Sequence, residues 1–476
     1  MQKSLQILRE TDCMALWTWR GDRVRFDPQS GRLTHGGPED AAVTVSLNLD
    51  RRGARLVWTG AQPPVCLVPA LGDGKCAVVA AEDAQRLSLV EEPGGPLCLF
   101  LGEAALHALP DGTARLMEAP LSADAFFVAV SAHALRCAEA LQADRWIDLA
   151  DRRVYPPAAP VPGRPAWLAF AGRMFSIAGT QGPFADDAAP RAPLHRLHLV
   201  LQDGAMLHLA RFRPLIYFTI YGGDSYYELL RLALRSLADH GAFDGTLCIA
   251  ADRPRAAVRR LIPDSFAGRW LYRETTAEAG LFARFDCDQW GLEAYSPILY
   301  VDADVIVDAP LTPLLTLLAG SPRLHVGTSN HFVPHLAGLS HTAYASDIAD
   351  WFGHWLFGND PRLAQVPFAM GNSGTIGFAT IADARLAFDL VRVLRRSVRH
   401  ELVAYFGDQP LFNYALHALG CGDFTTLNRF IELARDAGEC SGARRGLMHF
   451  HAGVGNVAVK LEAICAYSAS LASPPS

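Results

Sequence analysis

The sequence has 476 residues, of which 50% are hydrophobic, 19% charged and 9% aromatic. That apolar content excludes an intrinsically disordered chain, and the length implies two or three domains. The net charge of −6, from 49 acidic and 43 basic residues, leaves no basic footprint for nucleic acid.

Ten cysteines run from Cys13 to Cys465 without a C-x-x-C pair, so zinc-finger and iron–sulfur spacings are absent. Scattered thiols of this kind suit a reducing compartment. At the N-terminus, MQKSLQILRETDCMALW is interrupted by Arg9, Glu10 and Asp12 and does not read as a signal peptide. No run of about 18 apolar residues occurs later, so no bilayer-spanning segment is expected. The expectation is a soluble, cytoplasmic protein, with peripheral membrane contact left open.

From about residue 15 to 208, short β-like runs alternate with turn signals. Among them are VRFDPQSGRLTH, AAVTVSLNL, ARLVWTG, CAVVAA, LCLFLG and WIDL. In RLHLVLQDGAMLHLARF, Leu197, Leu199 and Leu201 recur at period two, and Gln202-Asp203-Gly204 suggests a hairpin turn. Several strands at near-regular spacing predict an antiparallel sandwich, barrel or trefoil. One helical interlude is expected around Ala123 to Ala143. Pro156 to Pro165 and Pro183 to Pro193 read as exposed connections. The tryptophans and tyrosines of this half read as core packing rather than as a sugar platform. The expected organisation is therefore a β-rich domain over 1–208, of unassigned role, and an α/β domain over 209–476.

After Pro214 the pattern becomes strand–helix alternation. LIYFTIYG is an apolar strand, and YYELLRLALRSLADHG is an amphipathic helix with Gly241 suited to its C-terminal cap. GTLCIAAD is a second strand ending in Asp252, and PRAAVRRLI a further helix. Such alternation builds a mostly parallel sheet covered by helices. Ligands bind such sheets at the carboxyl ends of the strands, where Thr219 to Tyr221 and Asp252 fall.

The most informative segment is SPILYVDADVIVDAPL. Ile298 to Val301 reads as a buried strand followed at once by Asp302 and Asp304. Residues two apart on an extended chain point to the same side, so both carboxylates can face one ion. Two adjacent carboxylates repel unless a cation sits between them, and a divalent ion with oxygen ligands resolves the conflict. A solvated acidic turn at a strand end is the plainer reading of Asp-x-Asp alone.

Taken together, residues 212 to 465 resemble the retaining glycosyltransferases of family 8, the glycogenin and lipooligosaccharide-galactosyltransferase group, which have the GT-A fold. Asp302 and Asp304 match the aspartates of that family's LYLDADVIV strand, which bind manganese on the diphosphate of a nucleotide sugar; Ala303 between them joins the donor-binding set. Phe218-Thr219-Ile220 and Tyr226 resemble the segment that cradles base and ribose. Arg284, eighteen residues before Asp302, matches the arginine of an ARL segment near the donor. Gly371-Asn372-Ser373-Gly374 resembles the FNSG segment at the sugar subsite. Asp408-Gln409 matches the Asp-Gln pair that contacts the transferred sugar. Met448-His449-Phe450-His451 resembles HFxG, whose histidine is the third metal ligand. The resemblance implies a metal-dependent hexosyltransferase, with manganese or magnesium, a nucleotide sugar (UDP-hexose by expectation) as donor, and a glycan or glycolipid as acceptor.

Departures from the family pattern leave three points open. Position 452 is Ala and Lys-Pro-Trp is absent, so Lys460, or the amides of Gly453-Val454-Gly455-Asn456, are the candidates for the phosphates. Either His449 or His451 serves as ligand. Tyr221 stands where the family often has the aspartate that reads uracil, which opens the choice of base. His331 to Trp355 reads as an acceptor-side insertion. Apart from the resemblance, Asp408 also fits a helix N-cap ahead of Pro410. Three other functions fit the sequence less well. A haloacid-dehalogenase-type phosphatase places its Asp-x-Asp on the first strand of its domain, whereas two strands precede it here. A sugar nucleotidyltransferase needs a glycine-rich phosphate loop after the first strand, which is missing. A non-catalytic carbohydrate-binding protein does not require an intact Asp-x-Asp, Asp-Gln and histidine.

Overall fold

The computed structural model describes residues 13–471 apart from 19–21, 36–42, 51–52, 59–60, 62–64, 74, 81–82, 92–96, 163, 178–179, 182–192, 201–204, 334–352, 358–359, 364–367, 435–443 and 452–453. The Gln202-Asp203-Gly204 turn, nearly all of Pro183 to Pro193 and most of His331 to Trp355 lie outside the described residues. The chain forms two compact units, Met1–Leu209 and Ala210–Ser476.

In the first unit, eight strands pair antiparallel in a ring. In order they are Cys13–Thr18, Phe127–Ser131, Leu97–Leu101, Ala104–Ala108, Thr113–Met117, Arg32–His35, Val24–Asp27 and Val43–Asp50, and the last pairs back onto the first. Closure of this kind is a barrel, and it removes the unpaired sheet edges an open sheet would expose. Alternate residues such as Val24 and Phe26, or Val45 and Leu47, fill one core with Leu16, Leu33, Leu99, Leu106, Leu116 and Phe127. Strands Gly53–Trp58, Val65–Pro69 and Cys76–Val79 extend the sheet outward from Val43–Asp50.

A second core in this unit gathers Trp146, Trp167, Leu168, Phe175, Leu197 and Leu199 around the helix Ala132–Ala143. Trp146 and Trp167 are buried. The helical interlude expected from Ala123 is shorter than the sequence suggests. Phe127–Ser131 is a strand of the ring, as its aromatic and β-branched composition favours, and the long helix begins only at Ala132.

In the second unit a seven-stranded sheet runs in the order Trp270–Glu274, Thr246–Ala251, Leu215–Ile220, Ile298–Val301, Phe368–Phe378, Leu324–Val333 and Gly422–Asp423. The first four strands are parallel, and Phe368–Phe378 lies antiparallel between Ile298–Val301 and Leu324–Val333. All six residues of Leu215–Ile220 are buried, as a strand covered on both faces requires. The helix Asp224–His240 buries Tyr227, Leu230, Ala233, Leu234 and Leu237 at three- and four-residue spacing, and the Gly241 amide closes it onto Leu237 O at 3.1 Å. Trp270–Glu274 is a third parallel strand ahead of Asp302, where the sequence reading counted two. Its residues are only partly buried, as befits an edge, so it lacks the apolar run that marks its neighbours.

A smaller sheet, Val305–Val307 with Leu447–His449 and Ile431–Leu433, continues directly from the Asp302–Asp304 turn. Helices Arg255–Arg259 (within the expected PRAAVRRLI helix), Thr312–Ala319, His354–Phe357, Ile381–Ser397, His400–Phe406, Gln409–Ala418 and Val457–Leu471 complete the described helices of the unit. Among the described residues no helix is long and apolar enough to cross a membrane, and the described cysteines are free thiols.

Candidate functional site

The site forms where the central sheet changes from parallel to antiparallel. Val301 stands opposite Thr375, and the Asp302 amide then donates to Gly374 O at 2.8 Å. The chain turns, with Val305 N bonded to Asp302 O, and the strand Val305–Val307 pairs with Leu447–His449 so that Val305 faces His449. That register carries His449 Nε2 to 3.3 Å from Asp304 Oδ1. Ligand atoms of Asp302, Asp304 and His449 all lie within 4.8 Å of one another. His451 is not part of this group: it follows the strand's end, its ring 6.1 Å from that of His449. Of the two candidate histidines, strand register selects His449. Ala303 packs into the apolar cluster of Ile306, Met448 and Phe450 rather than toward the carboxylates.

Each carboxylate has one oxygen neutralised by the protein. Asp302 Oδ1 accepts from the Tyr300 hydroxyl and lies 3.2 Å from Arg284 Nη2; Asp304 Oδ2 accepts from Lys460 Nζ at 2.6 Å. On the other side, Asp304 Oδ1 and His449 Nδ1 are buried with no hydrogen-bond partner among the described residues. Gly374 leaves open the space between the His449 ring and Asp302 Oδ2. A Cβ there would stand 2.4 Å from His449 Cε1 and 2.7 Å from Asp302 Oδ2. Two carboxylates, an imidazole, orphaned buried polar atoms and a glycine-made gap fit a divalent cation. Burial raises the Asp302 carboxyl despite the pull of Arg284. Burial also acts on Asp304, but the His449 ring and Lys460 ammonium overcome it and hold that carboxyl well below its usual range.

Asp408 is 3% exposed, and its Oδ2 lies 3.4 Å from Arg284 Nε. The expected N-cap is not made: although Asp408 precedes the helix Gln409–Ala418, its side chain bonds no helix amide and turns inward to the guanidinium. Burial nevertheless raises its carboxyl above the usual value. Gln409 Oε1 accepts from Ser373 N at 3.4 Å, and Asn372 Oδ1 from Gly374 N at 2.8 Å. Between Val326↔Ile376 and Gly327↔Asn372 the ladder shifts, so Ser373 to Thr375 bulge out beside Asp302.

Asn413 holds this bulge and was not read from the sequence. Fully buried, it takes Gly371 N at 2.8 Å and donates to Gly371 O at 2.9 Å and Gln409 O at 3.0 Å. The available signal was an amide on the buried face of an amphipathic helix, four residues after Gln409.

Several positions play other parts than those expected of them. Arg284, expected near the donor, is a buried hub beside the carboxylates. It is 3% exposed and spends its donors on Ser373 O at 2.7 Å and Leu281 O at 2.9 Å, besides the two aspartates. Its alternative partners, Asp286 and Asp288, are held by Arg392. Thr219 lies in the interior, its hydroxyl 3.1 Å from that of Tyr300, and Ile220 is a core side chain. Asp252, at the carboxyl end of its strand as expected, accepts from Gly222 N and from the Tyr227 hydroxyl. Lys460 is on Asp304 rather than open to a phosphate. Gly453 lies outside the described residues.

Tyr226, in the first turn of the helix Asp224–His240, is 44% exposed, its ring against Gly222. Tyr221 lies near enough to Arg284, Asp302 and Asp408 to sense their charges, and burial pushes its phenol up to about 12. Arg253, unremarked in the sequence, stacks 3.9 Å over the Tyr227 ring and pairs with Asp224 at 2.7 Å.

No protein-family profile and no curated protein matches this sequence. Among solved structures it is similar to the galactosyltransferase LgtC in complex with donor and acceptor sugar analogs, at 17% identity and a TM-score of 0.34, over 55% of this chain and 97% of that one. An active-site mutant of LgtC gives 17% identity and 0.35 over the same shares. The bifunctional glycosyltransferase WbbM gives 12% and 0.36, over 55% of this chain and 51% of that one.

Proposed function

We propose that the second unit is a GT-A-type, metal-dependent glycosyltransferase that moves a sugar, with retention, from a nucleotide-diphosphate sugar to a hydroxyl acceptor. UDP-hexose is the donor we expect, and the cytoplasm the compartment. The observation that carries this reading is the convergence of Asp302 and Asp304, on one turn, with His449 from a distant strand, beside Gly374, with Asp408 joined to the same group through Arg284. The ordered motif resemblance across residues 212 to 465 supports it.

Chemically, breaking a sugar–phosphate bond builds negative charge on the diphosphate and positive charge on the anomeric carbon. A divalent cation held by Asp302, Asp304 and His449 supplies Lewis acidity at the leaving group. The protein's own part is positional. Asp408, Gln409 and Asn372 border the sugar side and orient its hydroxyls, a contribution that alone yields large rate factors. Tyr226 and the Gly222 turn form the base side, at the carboxyl ends of the parallel strands.

The test is release of nucleoside diphosphate from a panel of UDP- and GDP-sugars, with and without manganese. Manganese-dependent release is expected from at least one donor. Asp302→Asn and Asp304→Asn, which keep the side-chain shape, are expected to abolish it. Release independent of metal, or unchanged in both variants, would overturn the reading.

A further inference from the structure

The segment RLHLVLQDGAMLHLARF carries the triplet Leu-His-Leu twice, at 197–199 and 207–209, and neither copy belongs to the transferase site. Both triplets lie inside a five-stranded sheet that runs in the order Val154–Tyr155, Arg145–Asp148, Met206–Phe212, Arg196–Val200 and Thr180–Gln181. Successive residues of a strand point to opposite faces. Leu197, Leu199 and Leu209 are buried in the second core of the first unit, and Leu207 packs against it. His198, half-buried, and His208, exposed, are thereby left on the other face. Their backbones are held from outside the pair as well: Gln181 stands opposite His198, and Leu149 N donates to His208 O at 2.8 Å.

The two rings meet nitrogen to nitrogen. Nδ1 of His198 lies 2.8 Å from Nδ1 of His208, with the ring planes 80° apart. Among the described residues neither ring bonds any other side chain. A proton shared by the two nitrogens gives one neutral hydrogen bond, worth about 0.5–1.5 kcal/mol, and a proton on each makes them repel. Burial, then His208 and Arg196, push the His198 ring below its usual value, which keeps a lone pair available at neutral pH. Imidazole–metal bonds run about 2.0–2.1 Å, so nitrogens 2.8 Å apart subtend an angle of about 90° at one ion. A tetrahedral ion would need them about 3.3 Å apart. Two imidazoles at a right angle occupy neighbouring corners of a tetragonal ion, the geometry of copper(II) and nickel(II).

We propose that His198 and His208 form a metal site in the first unit, chelating a tetragonal divalent ion, copper(II) or nickel(II), whose remaining positions are filled by water. The proposal is independent of the transferase reading. The ion replaces the shared proton and ties two neighbouring strands together. Arg196, two residues before His198 on the same face, is the charge that opposes it. Chelation offsets that repulsion, because the sheet already holds the second imidazole where the ion needs it.

The experiment titrates the full chain, without an affinity tag, with copper(II) and nickel(II) in a buffer that does not bind metal. Copper is also followed by electron paramagnetic resonance. The first equivalent is expected to show a tetragonal signal with coupling to two imidazole nitrogens. His198→Gln and His208→Gln should each weaken it at least about a hundredfold, the order for losing one arm of a two-armed ligand. Asp304→Asn, which alters the other metal-ligand cluster, should leave it unchanged. Nickel should raise the melting temperature of the unmodified chain and not that of His198→Gln, since the pair is assembled only in the folded state. Both rings face away from the core, and circular dichroism of the metal-free variants verifies that they fold. Copper binding unchanged in either histidine variant, or loss of the first equivalent in Asp304→Asn, would overturn the proposal. Zinc held more tightly than nickel would overturn it too, because the right-angle geometry disfavours a tetrahedral ion.

Discussion

Arg284→Ala is expected to cost about 3–5 kcal/mol of stability in urea unfolding of the metal-free protein, the range for breaking a buried ion pair from one side. The guanidinium is 3% exposed and sits between buried Asp408 and partly buried Asp302, so its removal leaves Asp408 without its cation and Asp302 with only the Tyr300 hydroxyl on that oxygen. For a protein holding about 5–15 kcal/mol in total, that is a large share. Manganese affinity should not fall, because losing a neighbouring positive charge increases the pull of Asp302 on a cation. Turnover should fall, by roughly a hundredfold, since Asp408 and Ser373 O lose the group that fixes them relative to Asp302. Added manganese should recover part of the lost stability by binding only the folded state. Arg284→Lys keeps the charge without the planar fork and should fall between. A midpoint shift equivalent to less than about 1 kcal/mol, or manganese affinity falling in step with turnover, would show that Arg284 does not bridge the two aspartates.

Gly374→Ala tests the gap itself. The added methyl would lie 2.4 Å from His449 Cε1, 2.7 Å from Asp302 Oδ2 and 2.9 Å from Asn372 Oδ1, none of which is an ordinary contact. His449 is 3% exposed and its strand is paired on both sides, so the ring has little room to give way. Overpacking of this kind typically costs about 1–3 kcal/mol, which a folded domain survives. Function should suffer more, because the methyl crowds two of the three ligand side chains, His449 and Asp302. Manganese-dependent hydrolysis is expected to drop at least about a hundredfold while the melting temperature falls by only several degrees. Gly268→Ala, where an added Cβ meets nothing within 4 Å, is the control and should leave both unchanged. Wild-type hydrolysis in Gly374→Ala would place the reaction elsewhere.

Much of the second unit was legible from local pattern. Leu215–Ile220 is apolar throughout, and Asp224–His240 carries its apolar residues at helical spacing up to a capping glycine. Such features depend on periodicity and chain stiffness, which neighbours in sequence already determine. The Asp302–Asp304 pair after an apolar strand was legible too, but not the reason the two carboxylates meet: the chain is not extended there and turns, with Val305 N bonded to Asp302 O.

Other features depend on which strand lies beside which, and only the tertiary structure decided them. His449 was chosen over His451 by the antiparallel register with Val305–Val307. Arg284 went inward because the 3-10 segment Gly280–Gln289 packs it against the bulge at Ser373, a contact between residues 89 positions apart. Asp252 was taken by Gly222 and Tyr227, thirty and twenty-five positions away. In the first unit, period-two runs announced strands without naming partners. Closure of the ring required Cys13–Thr18 to find both Phe127–Ser131 and Val43–Asp50. Sequence by itself determined local conformation and the inventory of charged side chains. Burial then decided which charges neutralise one another, because in a water-poor interior an ion must be paired, and pairing is set by three-dimensional neighbours.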